Sequence, residues 1–100
     1  TNTTGTSNVA VGKDALTANT TADNNSAFGY HALVANTTGT ENVAVGFNAL
    51  DANTTSNYNT AVGSQSLGTN TGASNTAVGR AALFKCSSRH DYWNQQHCCW

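Results

Sequence analysis

Proline and methionine are both absent from this 100-residue chain, and charged side chains make up only 9% of it. So little charge, with a formal net charge of -1, leaves neither the basic footprint that nucleic-acid binding requires nor an acidic solvating tail. No apolar run approaches the 18 or more residues of a membrane-spanning helix, and no charged-then-apolar start marks a signal peptide. The missing Met points to an internal fragment or a processed piece. The length allows one domain and too little chain for a catalytic core with a separate binding module. What remains is mostly Asn, Thr, Ala and Gly. That mixture reads as low complexity unless repetition supplies order.

Repetition is present. Five strings align: Asn8-Val9-Ala10-Val11-Gly12, Asn25-Ser26-Ala27-Phe28-Gly29, Asn42-Val43-Ala44-Val45-Gly46, Asn59-Thr60-Ala61-Val62-Gly63 and Asn75-Thr76-Ala77-Val78-Gly79. Their glycines are spaced 17, 17, 17 and 16 residues apart. Each string is followed by Ala15-Leu16, Ala32-Leu33, Ala49-Leu50, Ser66-Leu67 or Ala82-Leu83, then by a polar turn such as Asn19-Thr20-Thr21 or Asn36-Thr37-Thr38-Gly39. A unit this small buries nothing alone, so its apolar side chains leave water only against the copies above and below. Repeated Gly, β-branched Val and Thr, and regular Asn-Thr turns disfavour helix. The reading is an all-β parallel solenoid of about five 17-residue coils over 1–85, with two short strands per coil, one Asn-x-Ala-Val-Gly and one Ala-Leu.

Alternation along a strand assigns the faces. The small residues Ala10, Ala27, Ala44, Ala61 and Ala77, with Leu16, Leu33, Leu50, Leu67 and Leu83, are expected to form the repeat core. Val11, Phe28, Val45, Val62 and Val78 then point away from it. A continuous exposed apolar row implies a partner, and symmetric self-association is the simplest source of one, which makes this row the expected oligomer interface. Stacked coils would also align Thr20, Thr37, Thr54 and Thr71 at about the 4.7 Å strand spacing. That row is the candidate ligand face, for ice or another ordered lattice or for a glycan. The alternative is that Asn and Thr only satisfy turn backbone and their own copies in the next coil. Asn2, Asn19, Asn24, Asn36 and Asn53 also head glycosylation sequons that would cover the same face.

Asn-x-Ala-Val-Gly with Ala-Leu and Asn-Thr-Thr-Gly resembles the head repeats of trimeric autotransporter adhesins, and more closely the longer repeats of phage and algal-virus tail-fibre proteins. The resemblance spans about residues 1–85. It implies a left-handed parallel β-roll, three chains side by side about a common axis, and a stiff adhesive stalk or head that is extracellular, on a cell surface or on a virion. The implied partners are copies of the chain, as a trimer, and a host-surface receptor or glycan; a self-assembling filament subunit is a separate reading, in which open coil ends stack end to end as uncapped β edges tend to. Phe28 in place of Val, Gly68 after Ser66-Leu67 and the short fourth interval depart from the pattern.

From Cys86 to Trp100 the character changes, and this non-repeat tail holds every Cys and Trp of the chain. Three thiols with His90 and His97 invite a zinc reading, but no Cys-x2-Cys pair is present. Cys86, Cys98 and Cys99 are instead candidates for an interchain disulfide, while Tyr92, Trp93 and Trp100 suit a cap over the last coil. A frameshifted or foreign terminus is a third reading. In the repeats, Asp14, Asp23, Glu41 and Asp51 fall at different phases, so no two carboxylates converge as a general acid and base, and all four read as solvated. His31 takes the place of Asp14 and Asn48 and reads as an exposed variant. Calcium-binding solenoids need regular loop Asp, where this chain has Thr. The expectation is a non-enzymatic chain without cofactor or metal.

Overall fold

The computed structural model describes residues 2–69 and 71–83. The tail with Cys86, Cys98 and Cys99, and the boundary at 85/86, lie outside the described residues. Five three-residue strands are formed: β1 (Val9–Val11), β2 (Ser26–Phe28), β3 (Val43–Val45), β4 (Thr60–Val62) and β5 (Thr76–Val78). They pair parallel in chain order, with Ala10, Ala27, Ala44, Ala61 and Ala77 opposite one another throughout. Each strand lies beside its own successor one winding later, so the described chain is a β-solenoid. Equivalent residues therefore form columns along the stack, as the repeat spacing predicts. The short fourth interval is absorbed between β4 and β5, because Thr60 still pairs with Thr76 and Val62 with Val78.

The second wall differs from expectation. Ala15-Leu16 and its equivalents are not strands but turns, and Leu16, Leu33, Leu50, Leu67 and Leu83 all have φ of 53°. The wall alternates two kinds of bond. Ala15 and Asn19 N–H donate locally to Gly12 and Leu16 carbonyls at 3.3 and 3.2 Å, whereas Leu16 N–H reaches Ala32 O of the next coil at 3.1 Å. A left-handed conformation costs a branched residue about 1–2 kcal/mol. Leu33, Leu50 and Leu67 are nonetheless fully buried, and burying a Leu side chain returns roughly 1.5–3 kcal/mol. Burial outweighs the backbone strain, and the strain is what aims Leu inward at a tight corner.

The expected core is buried through the middle of the stack, and Ala10 and Leu83 at its two ends depart from it. Ala27, Ala44 and Ala61 are completely buried and Ala77 nearly so, facing the Leu column. Ala10, expected in the core, is exposed. β1 is an edge strand, and an open depression lined by Asn2, Ala10, Asp14 and Leu16, among others, lies beside it. Leu83 in the last described coil is only partly buried, though it packs against the core.

Candidate functional site

Five glycines, Gly12, Gly29, Gly46, Gly63 and Gly79, end the strands with φ between 123° and 130°. This is a region that only glycine enters cheaply. The corner it makes separates the strand face from the turn wall. Below it, the interior carries two polar columns that composition alone did not place there.

Asn19, Asn36 and Asn53 are completely buried. Asn36 Nδ2 donates to Asn19 Oδ1 at 3.0 Å and Asn53 Nδ2 to Asn36 Oδ1 at 2.9 Å, one coil to the next. The second column is Asn8, Asn25, Asn42, Asn59 and Asn75. There the backbone N–H of each Asn donates to the side-chain oxygen of the one before it, for example Asn42 N to Asn25 Oδ1 at 3.0 Å. The two columns converge: Asn25 Nδ2 and Asn36 Nδ2 both donate to Gly39 O, at 2.8 and 3.0 Å, and Asn42 Nδ2 and Asn53 Nδ2 both to Ser56 O. An unpaired buried amide costs about 1–3 kcal/mol, so satisfying it from one described coil to the next makes the ladder cooperative with stacking. Among the described residues Asn48 Oδ1 is the exception, buried without a hydrogen-bond partner.

This geometry corrects the sequon reading. Asn19, Asn36 and Asn53 point into the coil and present no acceptor at the surface, whereas Asn2 and Asn24 are exposed. In the Thr row, Thr20, Thr54 and Thr71 are exposed and Thr37 is half-buried. Thr37 Oγ1 donates to Thr54 O at 3.1 Å and Thr3 Oγ1 to Thr20 O at 3.0 Å. Those two hydroxyls satisfy turn backbone across coils.

Of the four acidic residues only Glu41 is exposed, and Asp14, Asp23 and Asp51 are not simply solvated. Asp23 Oδ1 accepts from Thr6 N at 2.7 Å and from Thr6 Oγ1 at 3.1 Å. Two coils on, Asn57 Oδ1 plays the same part for Thr40 N at 2.8 Å. Asp14 Oδ2 pairs with Lys13 Nζ at 2.8 Å, and that hydrogen bond lowers the carboxyl pKa and raises the ammonium pKa. His31, expected to be exposed, is half-buried; its Nε2 stands 3.4 Å from Asp14 Oδ2 and its ring stacks on Tyr30 at 3.9 Å. Asp51 is half-buried, and burial raises its pKa above the ordinary carboxylate value. A raised folded-state pKa favours the protonated form, so stability from this group is present at low pH and lost as pH rises through that pKa. Asp51→Asn is therefore expected to raise the melting temperature slightly at pH 7 and to match the parent near pH 3, read by thermal circular dichroism at both values.

Among the described residues no group of three or more His, Cys, Asp or Glu is placed to hold a metal ion, and no helix is long and apolar enough to cross a membrane. The outer surface does carry one distinctive feature. Among the described residues the large apolar side chains that are exposed are Val9, Val11, Phe28, Tyr30, Val45, Phe47, Tyr58 and Val78. All eight lie in a strand or two residues from its end. Of the expected interface row, Val11, Phe28, Val45 and Val78 are exposed and Val62 is half-buried. The flanking aromatics Tyr30 and Phe47, stacked with centroids 5.5 Å apart and with Lys13 Nζ 5.7 Å from the Tyr30 centroid, were missed by sequence reasoning. Their two-residue offset from Phe28 and Val45 was the available signal.

Fold and surface together define a parallel β-solenoid repeat protein with an amide-laddered interior and one apolar outer face. Comparison with protein-family models, with curated proteins and with solved structures finds no match.

Proposed function

We propose that this chain is a structural and adhesive segment of an extracellular or virion fibre, in which copies associate side by side through the strand face and present a repeated surface to a receptor or glycan. The observation that carries the reading is that, among the described residues, all eight exposed large apolar side chains lie in the strands and their flanks. A soluble rod does not leave such a stripe open without cause. Repetition along the rod lets weak contacts to a target surface add through multivalency. The number three comes from the resemblance of the repeats to adhesin heads and tail fibres.

Area sets the strength. Five strands about 4.8 Å apart, each with its flanks spanning roughly 20 Å, give a face of about 500 Å². This falls short of the roughly 800 Å² per partner of a standard interface. Association of this segment is therefore expected to be weak and concentration-dependent, growing with every coil added. Sedimentation equilibrium from micromolar to millimolar protein should show a monomer–trimer equilibrium. Val45→Asp, at the centre of the face, should shift it to monomer, by on the order of 10–100-fold in dissociation constant, because a carboxylate would be buried without a partner. The β signal in circular dichroism should stay unchanged. A chain that stays monomeric at every concentration and shows thermal hysteresis would replace this reading with lattice binding.

A further inference from the structure

The two edges of the strand face vary from coil to coil in a compensating way. One edge, two residues before each strand, reads Ser7, Asn24, Glu41, Tyr58 and Ser74, all exposed and all with positive φ. The other, two residues after each strand, reads Lys13, Tyr30, Phe47, Ser64 and Arg80. Glu41 aside, the first edge is small or short except at Tyr58. The second is long or aromatic except at Ser64. Both exceptions fall in the same coil, on either side of β4. The strand alone, at about 3.3 Å per residue, holds them roughly 10 Å or more apart. The strand thus keeps Tyr58 and Ser64 from filling each other's space within one chain, and Tyr58 remains 56% exposed.

Resting on the self-association proposed above, we infer that neighbouring copies meet edge to opposite edge, parallel and with no axial offset, so that Tyr58 of one copy fills the notch that Ser64 leaves in the next. Small then meets large in four coils: Ser7 with Lys13, Asn24 with Tyr30, Tyr58 with Ser64, and Ser74 with Arg80. Glu41 opposite Phe47 is not explained by size. The alternatives fit worse. An antiparallel pair joined at the first edge places Glu41 against its own copy at the centre, where like charges repel. A parallel pair offset by one coil drives Tyr58 onto Phe47 or Arg80. Edge-to-opposite-edge contact is heterologous, and a heterologous contact about a rotation axis closes into a ring.

A double-mutant cycle on the full chain tests the pairing by sedimentation equilibrium, with circular dichroism confirming the fold of each variant. Tyr58→Lys and Ser64→Glu are each expected to weaken association about tenfold, one by losing the knob and the other by placing charge in the notch. The double variant is expected to recover to within about threefold of the parent, because the new ammonium and carboxylate face each other between copies. Additive losses in a chain that still associates would overturn the register and leave the self-association reading standing. A parent chain that remains monomeric would overturn both.

Discussion

Gly46→Ala is expected to remove about 3–5 kcal/mol of folding stability, a large share of the roughly 5–15 kcal/mol that holds a domain folded. Two costs combine. At φ of 129° an alanine is held where L residues are strained by about 1–3 kcal/mol. Its Cβ would also stand 2.7 Å from the Gly63 carbonyl carbon, 2.8 Å from the Gly63 oxygen and 3.0 Å from Ser64 N. These are backbone atoms of the next coil, which yield only if the stack opens, and overpacking of this kind costs about 1–3 kcal/mol. Gly79→Ala separates the two terms. Its φ of 126° imposes the same strain, but among the described residues the nearest atom to its Cβ is Ala82 Cβ at 3.9 Å. Urea denaturation of both variants should therefore place Gly46→Ala well below Gly79→Ala, and equal losses would mean that close approach between coils contributes nothing. Gly39→Ala tests the overlap at a corner with no positive φ, since its Cβ would fall on the Ser56 carbonyl oxygen.

The winding and its register were legible because a 17-residue spacing of Asn-x-Ala-Val-Gly leaves neighbouring strands only one register that keeps alanine on alanine. The outward apolar row followed from alternation, and Val11, Phe28, Val45 and Val78 lie where alternation places them. The Ala-Leu wall was misread as strand. Alternation carries no information about left-handed corners, and Leu is an unfavourable occupant of φ near 53° that only inward burial explains. The two asparagine columns were hidden for a different reason. Asn reads as turn chemistry in sequence, and nothing local distinguishes an Asn that bonds its own turn from one that also bonds its copy a coil away. Asn36 does both. Ala10 reads the same as Ala27 in sequence, and only its place on an edge strand exposes it. At the candidate interface the repeat pointed to one column, whereas Tyr30, Phe47 and Tyr58 extend it on both sides, at positions where other coils carry polar residues.

Asn36→Asp is expected to be the most pH-sensitive single change in the chain. The native amide donates to Asn19 Oδ1 and Gly39 O and accepts from Asn53 Nδ2 at zero exposure. An aspartate keeps the acceptor role but turns both donor contacts into oxygen facing oxygen. Ionised, it would be a buried, uncompensated charge, with a cost of about 3–5 kcal/mol. Protonated, it regains one donor and avoids the charge. Burial and the two facing acceptors hold its folded-state pKa above the ordinary carboxylate value near 3.9, so the variant binds its proton more tightly when folded than unfolded. The stability deficit should therefore be smallest at about pH 3 and grow as pH rises through the folded pKa, reaching its full size by neutral pH. Asn36→Ala gives the comparison. It orphans Asn19 Oδ1 for about 1–3 kcal/mol, while Gly39 O keeps Asn25 Nδ2 and Asn53 Nδ2 keeps Ser56 O. Its loss should follow the parent's own pH profile. Melting curves of the parent and both variants at pH 3 and pH 7 decide the matter, and an Asp variant that parallels the Ala variant at both would place Asn36 outside the coil and dismantle the ladder on which the interior depends.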